Sequence, residues 1–252
     1  MAKIPIAVQL YTLRNECEKD FAGTLKKVAE LGFDGVEFAG FGGLTAKQVK
    51  VLLDELGLQA AASHIPLEEL ENNLFKVIED QKIIGSSYVV CPYLMPDRRS
   101  KEDYKALISI LDQAGETSRR EGITLCYHNH DFELERLSNG MTILEGIFDR
   151  TNANNLKAEL DVYWLTKAGE NPVEWMNRYK HRLPLIHLKD MTTDGEQFFA
   201  ELGTGGVDIE AVLKTGAENG VQWWIVEQDM SRRSPFESIE ISLNYLKMLK
   251  TQ

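Results

Sequence analysis

Apolar residues in this chain gather into short runs, separated by longer stretches whose apolar positions recur with a helical period. The runs fall at 4–10, 34–38, 58–63, 87–91, 123–128, 156–161, 183–188 and 222–227, which predicts eight strands. Between them, 101–121 is typical: Tyr104, Leu107, Ile108, Leu111 and Ala114 share one helical face and the far face is charged. Five junctions repeat the same order of helix, glycine and strand, at LGFDGVEF (31–38), LGLQAAASH (56–64), IGSSYVVC (84–91), EGITLCYHNH (121–130) and NGVQWWIVE (219–227). Glycine just past a helix accepts the left-handed backbone that ends it, so Gly32, Gly57, Gly85, Gly122 and Gly220 mark a βα repeat.

Helix starts agree with this spacing. Thr45 with Gln48 and Ser234 with Glu237 have the form of capping boxes, Pro235 stands at a first helical position, and Asn171-Pro172 opens a helix in the same way. Runs as apolar as YVV and WWIV suit parallel strands covered on both faces. Eight such units in 252 residues predict an α/β fold of one domain, residues 1–252, closed as a (β/α)8 TIM barrel. A doubly wound open sheet is the competing architecture, but the first strand ends VQLYTLR, without a glycine-rich phosphate loop. The Trp223-Trp224 pair reads as barrel packing.

Composition narrows the partners. With 39 acidic and 28 basic residues the formal net charge is −11, which opposes a sequence-independent grip on nucleic acid. Cys17, Cys91 and Cys126 have neither CxxC spacing nor a paired framework and read as reduced thiols, the latter two buried in strands. The N-terminus runs directly into a strand, so no signal peptide or membrane span is expected; the cytoplasm is the expected compartment, although a leader removed beforehand is compatible with the same sequence. The sequence leaves oligomeric state open, a homo-oligomer included.

In a parallel barrel the C-terminal ends of the strands form the catalytic rim. Four successive strand ends carry metal-ligand types: YHNHDFE (127–133), ELDVYW (159–164), LIHLKD (185–190) and IVEQD (225–229). His128, Asp161, His187 and Glu227 are therefore expected to converge on one divalent cation. Two imidazoles with two carboxylates suit Mn²⁺, Zn²⁺, Co²⁺ or Fe²⁺ better than an all-oxygen Mg²⁺ or Ca²⁺ cage. Taken singly, each acid after a strand reads equally as a helix cap or a solvated loop residue.

His130 lies two residues beyond His128 and faces the same way if the strand persists, while Glu133 reads as a contact to substrate or a rival ligand. Glu159 shares the parity of Asp161 and, if deeper, needs a partner such as Lys189 or a histidine. Gln9, Tyr11, Glu37, His64, Tyr93 and Trp164, with Lys189, are expected to complete a wall of hydroxyl, amide and aromatic surface that suits a sugar or cyclitol. Lys189, Arg232 and Arg233 stand near enough to strand ends to meet a phosphate. The loop at 199–213 is glycine-dense; it reads either as a turn with Asp208 as helix cap or as backbone approaching a ligand beside His187. Asp190 reads as a cap and His181 as a surface residue at the opposite barrel end.

Across essentially its whole length the chain resembles the sugar phosphate isomerase/epimerase superfamily, the xylose isomerase-like TIM barrels. The likeness rests on VQLYTLR, LGFDGVEF, YHNHDFE, LDVYWLTKAG, HLKD, LGTGGVD and VEQD together. It implies one divalent metal, commonly Mn²⁺, held by Asp161, His187 and Glu227. Two positions depart from the ketose 3-epimerases of that group: His128 stands where they usually carry a glutamate, and Trp164 where they carry a histidine. YHNH is closer to relatives of inosose dehydratase and of keto-glycoside-processing enzymes.

The expected chemistry is abstraction of the proton next to a carbonyl, giving an enediolate, with Glu227 as base and His130 or Glu133 as acid. Reprotonation gives isomerisation or epimerisation, and loss of a β-hydroxyl gives dehydration. Two further readings are an AP-endonuclease-type phosphodiesterase, which needs more ligands and a basic surface, and a non-catalytic sugar-binding barrel.

Overall fold

The computed structural model describes residues 4–137 and 140–249. Eight parallel strands close into a barrel: β1 Ile6–Gln9, β2 Gly35–Phe38, β3 Gln59–His64, β4 Tyr88–Cys91, β5 Thr124–His128, β6 Leu156–Asp161, β7 Leu185–Leu188 and β8 Trp223–Val226. Each pairs with its neighbours in sequence, and β8 closes on β1 through Ile6↔Trp224, Ala7↔Ile225 and Val8↔Val226. All eight predicted runs contain a strand, and most are trimmed by a residue or two at the ends. Glu227 consequently lies one residue beyond its strand.

The predicted helix at 101–121 forms over Lys101–Arg120, with Leu107, Leu111 and Ala114 buried. Gly32, Gly57, Gly85, Gly122 and Gly220 all take positive φ, from 68° to 90°, so the repeat is built as its glycines imply. Thr45 and Gln48 form their capping box. Asn171 caps Pro172–Arg178 and Asp208 caps Ile209–Asn219. The last helix, Pro235–Leu249, opens on its proline, and Glu237 there pairs with Arg233.

Strand alternation sorts the barrel interior into layers. Ala7, Ala61, Ala62, Val90, Cys126, Leu185, Trp223 and Ile225 make an apolar plug. Two residues further along the same strands come Gln9, His64, His128, His187 and Glu227, so the polar layer rests directly on the plug. Trp223 belongs to the plug while Trp224 packs outward in the main core. Both are core residues, as expected.

One element lies outside the predicted pattern. Asp190–Met191 and Phe199–Ala200 pair as a short antiparallel ladder above β7. The glycine-dense loop after it is organised by Asp190, whose carboxylate accepts from the backbone N–H groups of Met191, Gly203, Gly205 and Val207 at 2.8–3.0 Å. Those amides point at a side chain of the chain itself, which accords with the reading of this loop as a turn with Asp208 as helix cap. No helix among the described residues is long and apolar enough to cross a membrane.

Packing of the long helix onto β6 turns on Gly115, where an added Cβ would meet the carbonyl oxygen of Asn155 at 2.2 Å. Gly146, also helical, has nothing within 4 Å of that position. Gly115→Ala should therefore destabilise by about 1–3 kcal/mol, whereas Gly146→Ala should be neutral or stabilising by up to about 1 kcal/mol. Urea denaturation of the two variants measures both.

Candidate active site at the barrel mouth

The four strand-end residues expected to converge do so. Suitable ligand atoms of His128, Asp161, His187 and Glu227 all lie within 4.8 Å of one another, and all four residues are buried. Asp161 divides its carboxylate: Oδ1 caps the following helix by accepting from Tyr163 and Trp164 N–H at 2.9 and 3.1 Å, and Oδ2 faces the barrel. The cap reading of an acid after a strand is met by Oδ1, while Oδ2 stays among the other ligand-type atoms. Asn129, which no sequence signal marked, holds it in place, because its Oδ1 accepts the Asp161 N–H at 3.0 Å.

Lys189 changes the electrostatics of this group. It is fully buried, and its ammonium lies 3.0 Å from Asp161 Oδ2, 2.7 Å from Glu227 Oε2 and 2.9 Å from Asp229 Oδ2. Burial opposes its charge, but the three carboxylates overcome that and hold it well above the ordinary lysine range. Burial likewise opposes the Glu227 carboxylate, and Lys189 with His187 holds it well below its usual range. Lys189 is thus a counter-ion to three carboxylates inside the barrel. Parity was the available signal: Lys189 is two residues past His187. Arg232 and Arg233 are also accounted for, paired with Glu196 and with Glu201.

Beneath lies a second polar group, in which Glu37 and His64 of the strand ends meet the deeper Glu159. Glu37 and Glu159 are both fully buried. Glu159 Oε2 is approached by His64 Nε2 at 2.8 Å, His187 Nε2 at 3.2 Å and His128 Nδ1 at 3.3 Å. Glu37 Oε2 lies 2.6 Å from His187 Nε2 and accepts from Gln9 Nε2 at 2.7 Å. The partner that Glu159 required is therefore a set of histidines. Gln9 and Glu37 are fully buried and lie outside the lining of the cavity that opens above them.

Two imidazoles separate these groups, each with one nitrogen on either side. His187 turns Nδ1 to Glu227 at 2.9 Å and Nε2 to Glu37, while His128 turns Nε2 toward Asp161 at 3.9 Å and Nδ1 to Glu159. Burial disfavours charge on both rings. For His187 the carboxylates of Glu159, Glu37 and Glu227 reverse this and hold it well above the ordinary imidazole range. His128 stays well below it, and burial lowers His64 as well. Burial, reinforced by Glu159, lifts Glu37 to about 7.

Above these residues opens a cavity of about 1100 Å³, whose lining includes Tyr11, His64, Tyr93, His128, Trp164 and Glu227. His130 also lines it, caged by Tyr93 at 5.0 Å, Trp164 at 5.2 Å and Phe132 at 5.8 Å between ring centroids. Burial brings His130 down to about 3, so its ring is neutral at neutral pH. Glu133 is instead committed to the chain: its oxygens accept from Tyr127 OH at 2.7 Å and His130 N–H at 2.8 Å. It fixes the turn that presents His130. His181 is exposed beside the opposite barrel end, as expected.

The donor set fits a divalent cation. Ligand atoms of His128, Asp161, His187 and Glu227 lie within 4.8 Å of one another, with the Lys189 ammonium beside Asp161 Oδ2 at 3.0 Å, and the mixed nitrogen and oxygen donors suit a transition metal.

The model of the xylose isomerase-like TIM barrel family matches residues 25–249. The chain belongs to this family. It is 26% identical to the inosose dehydratase of Clostridium botulinum (strain Alaska E43 / Type E3), over 91% of this chain and 90% of that one. Among solved structures it is similar to a sugar phosphate isomerase/epimerase from Parabacteroides distasonis ATCC 8503, with 25% identity, TM-score 0.84 and coverage of 98% and 97%. The IOLI protein, solved with a zinc atom, shares the fold at 14% identity and TM-score 0.76, over 97% of each chain. Family members thus include dehydratases and isomerases acting on sugars or cyclitols, on one scaffold.

Lys189→Met should leave Asp161, Glu227 and Asp229 facing one another in a buried space. The variant should lose about 3–5 kcal/mol of stability at neutral pH in metal-free protein, the range for breaking a buried ion pair. Chemical denaturation of parent and variant in the presence of a chelator measures the difference.

Proposed function

We propose that this protein moves a proton at the carbon next to a carbonyl of a sugar or cyclitol, giving isomerisation or epimerisation. The observation that carries the reading is one cavity in which Glu227 and His130 meet the polar layer of the barrel under aromatic walls. The residues that would hold a divalent cation are His128, Asp161, His187 and Glu227, with Mn²⁺ the first candidate. When bound, such a cation polarises the carbonyl and stabilises the negative charge that develops beside it.

The side chains supply the rest. Glu227 is kept ionised by Lys189 and His187, which contact its Oε2 at 2.7 and 2.9 Å, and its carboxylate is assigned to take the proton. His130 is held by its aromatic cage and by Glu133, and its neutral ring exchanges a proton on the other side of the substrate. Its Nδ1 and the Trp164 Nε1 are buried without partners among the described residues. Sugar hydroxyls, which both donate and accept, would satisfy these two atoms. With His128 in place of a second glutamate, one carboxylate and one imidazole divide the work.

A second reading is dehydration of a cyclitol ketone, favoured by the inosose dehydratases among the relatives. It uses the same proton abstraction and differs in the next step, where a β-hydroxyl leaves as water before reprotonation.

Incubating the protein with ketoses, inososes and 3-keto-glycosides plus Mn²⁺ in deuterated water tests both readings. Deuterium entering the product without loss of water supports isomerisation, and a product lighter by water supports dehydration. Glu227→Gln should slow either by about 10²–10⁴-fold, the usual contribution of a positioned proton acceptor. Unchanged turnover in that variant, or full activity after chelation, would overturn the reading.

A further inference from the structure

The deeper polar group has the geometry of a metal site in its own right. Three imidazole nitrogens, His64 Nε2, His187 Nε2 and His128 Nδ1, surround one carboxylate oxygen, Glu159 Oε2, at 2.8, 3.2 and 3.3 Å. Ligand atoms of these four residues all lie within 4.8 Å of one another. Bonds of about 2.0–2.1 Å in a tetrahedron place donors about 3.3–3.4 Å apart. Two of these three edges lie close to that spacing and the third is shorter.

Hydrogen bonding alone does not account for the arrangement. A neutral imidazole has one N–H, and three rings packed at centroid distances of 4.5–5.3 Å repel one another if all are charged. His128 Nδ1, Glu159 Oε1 and Glu37 Oε1 are each buried with no hydrogen-bond partner among the described residues. Two buried carboxylates, Glu37 and Glu159, need positive charge, and among the described residues their ion-pair partners are histidines, with no lysine or arginine. The Asp161 and Glu227 side, by contrast, already has the Lys189 ammonium in contact with both carboxylates.

We propose that His64, His128, His187 and Glu159 form a second transition-metal site, beneath the one assigned to the proton transfer, that takes a Zn²⁺-type cation in four-coordinate geometry. Glu37 Oε2, 3.3 Å from His64 Nε2 and 2.6 Å from His187 Nε2, balances the remaining charge. His128 and His187 would serve either site through opposite ring nitrogens, and with both ions bound each ring would release its N–H proton to solvent and bridge as an imidazolate. The lower site reaches the cavity through His64 and His128, both of which line it.

Diffraction from zinc-loaded full-length protein at the zinc absorption edge locates the ion without reference to activity. The expected anomalous peak lies about 2.0–2.2 Å from His64 Nε2, His128 Nδ1, His187 Nε2 and Glu159 Oε2. A peak only between Asp161 and Glu227, or none, overturns the proposal. Calorimetric titration with Zn²⁺ adds a second readout. Loss of a group merely supporting a ligand costs about 10–100-fold in affinity, so His64→Ala and Glu159→Gln should each weaken the tighter Zn²⁺ event by at least about 100-fold. Asp161→Asn should leave it near the parent value; the reverse pattern overturns the proposal. Metal-free melting curves verify that each variant folds. Zinc in this position without deuterium exchange would leave the site standing and the catalytic reading fallen, and the converse would separate them equally well.

Discussion

Four carboxylates, Glu37, Glu159, Asp161 and Glu227, are buried at the mouth of a barrel whose floor is apolar, and their charge has to be compensated there. An isolated ion in such a place costs several kcal/mol even after relaxation. The chain meets this with one ammonium, three imidazoles and donor atoms spaced for a metal. Positions of Lys189, His64, His128 and His187 all follow from that requirement, whereas His130 further out is kept neutral by burial.

Compensation also explains the division of labour. Because His128 and His187 each present both ring nitrogens, one pair of side chains serves two sets of carboxylates. The upper set opens on a wide cavity with Glu227 in its lining, where a substrate can be reached. The lower set is tighter and richer in nitrogen. Glu133, Asn129 and Asp190 touch none of this chemistry directly; they hold the YHNH turn, the Asp161 backbone and the loop beyond Lys189.

Much of the architecture was legible in the chain because periodicity and helix-ending glycines are local signals. The same rule that placed strands also placed His128, Asp161, His187 and Glu227, since residues at parallel strand ends share one rim whatever their separation in sequence. What was not legible depends on depth and register. Lys189 and Glu37 are chemically suited to a substrate wall, and only the closed barrel shows them turned inward beneath it. Glu159 faces the histidines because β6 pairs with β5 at His128 and with β7 at Leu185, a register no single strand carries. Glu133 is suited to reach the site as the chain curls off β5, and only the folded turn shows its oxygens accepting from Tyr127 OH and His130 N–H.

The central claim is that charge compensation at the barrel mouth includes a divalent cation, and thermal melting tests it most directly. At about 100 times its dissociation constant a ligand adds about 2.7 kcal/mol of stability, which for a chain of this size raises the midpoint by roughly 5–10 °C. Protein treated with chelator and then supplied with Mn²⁺ or Zn²⁺ should show that rise, and it should disappear when His187 is replaced by alanine. Identical midpoints with and without the cation would contradict the account.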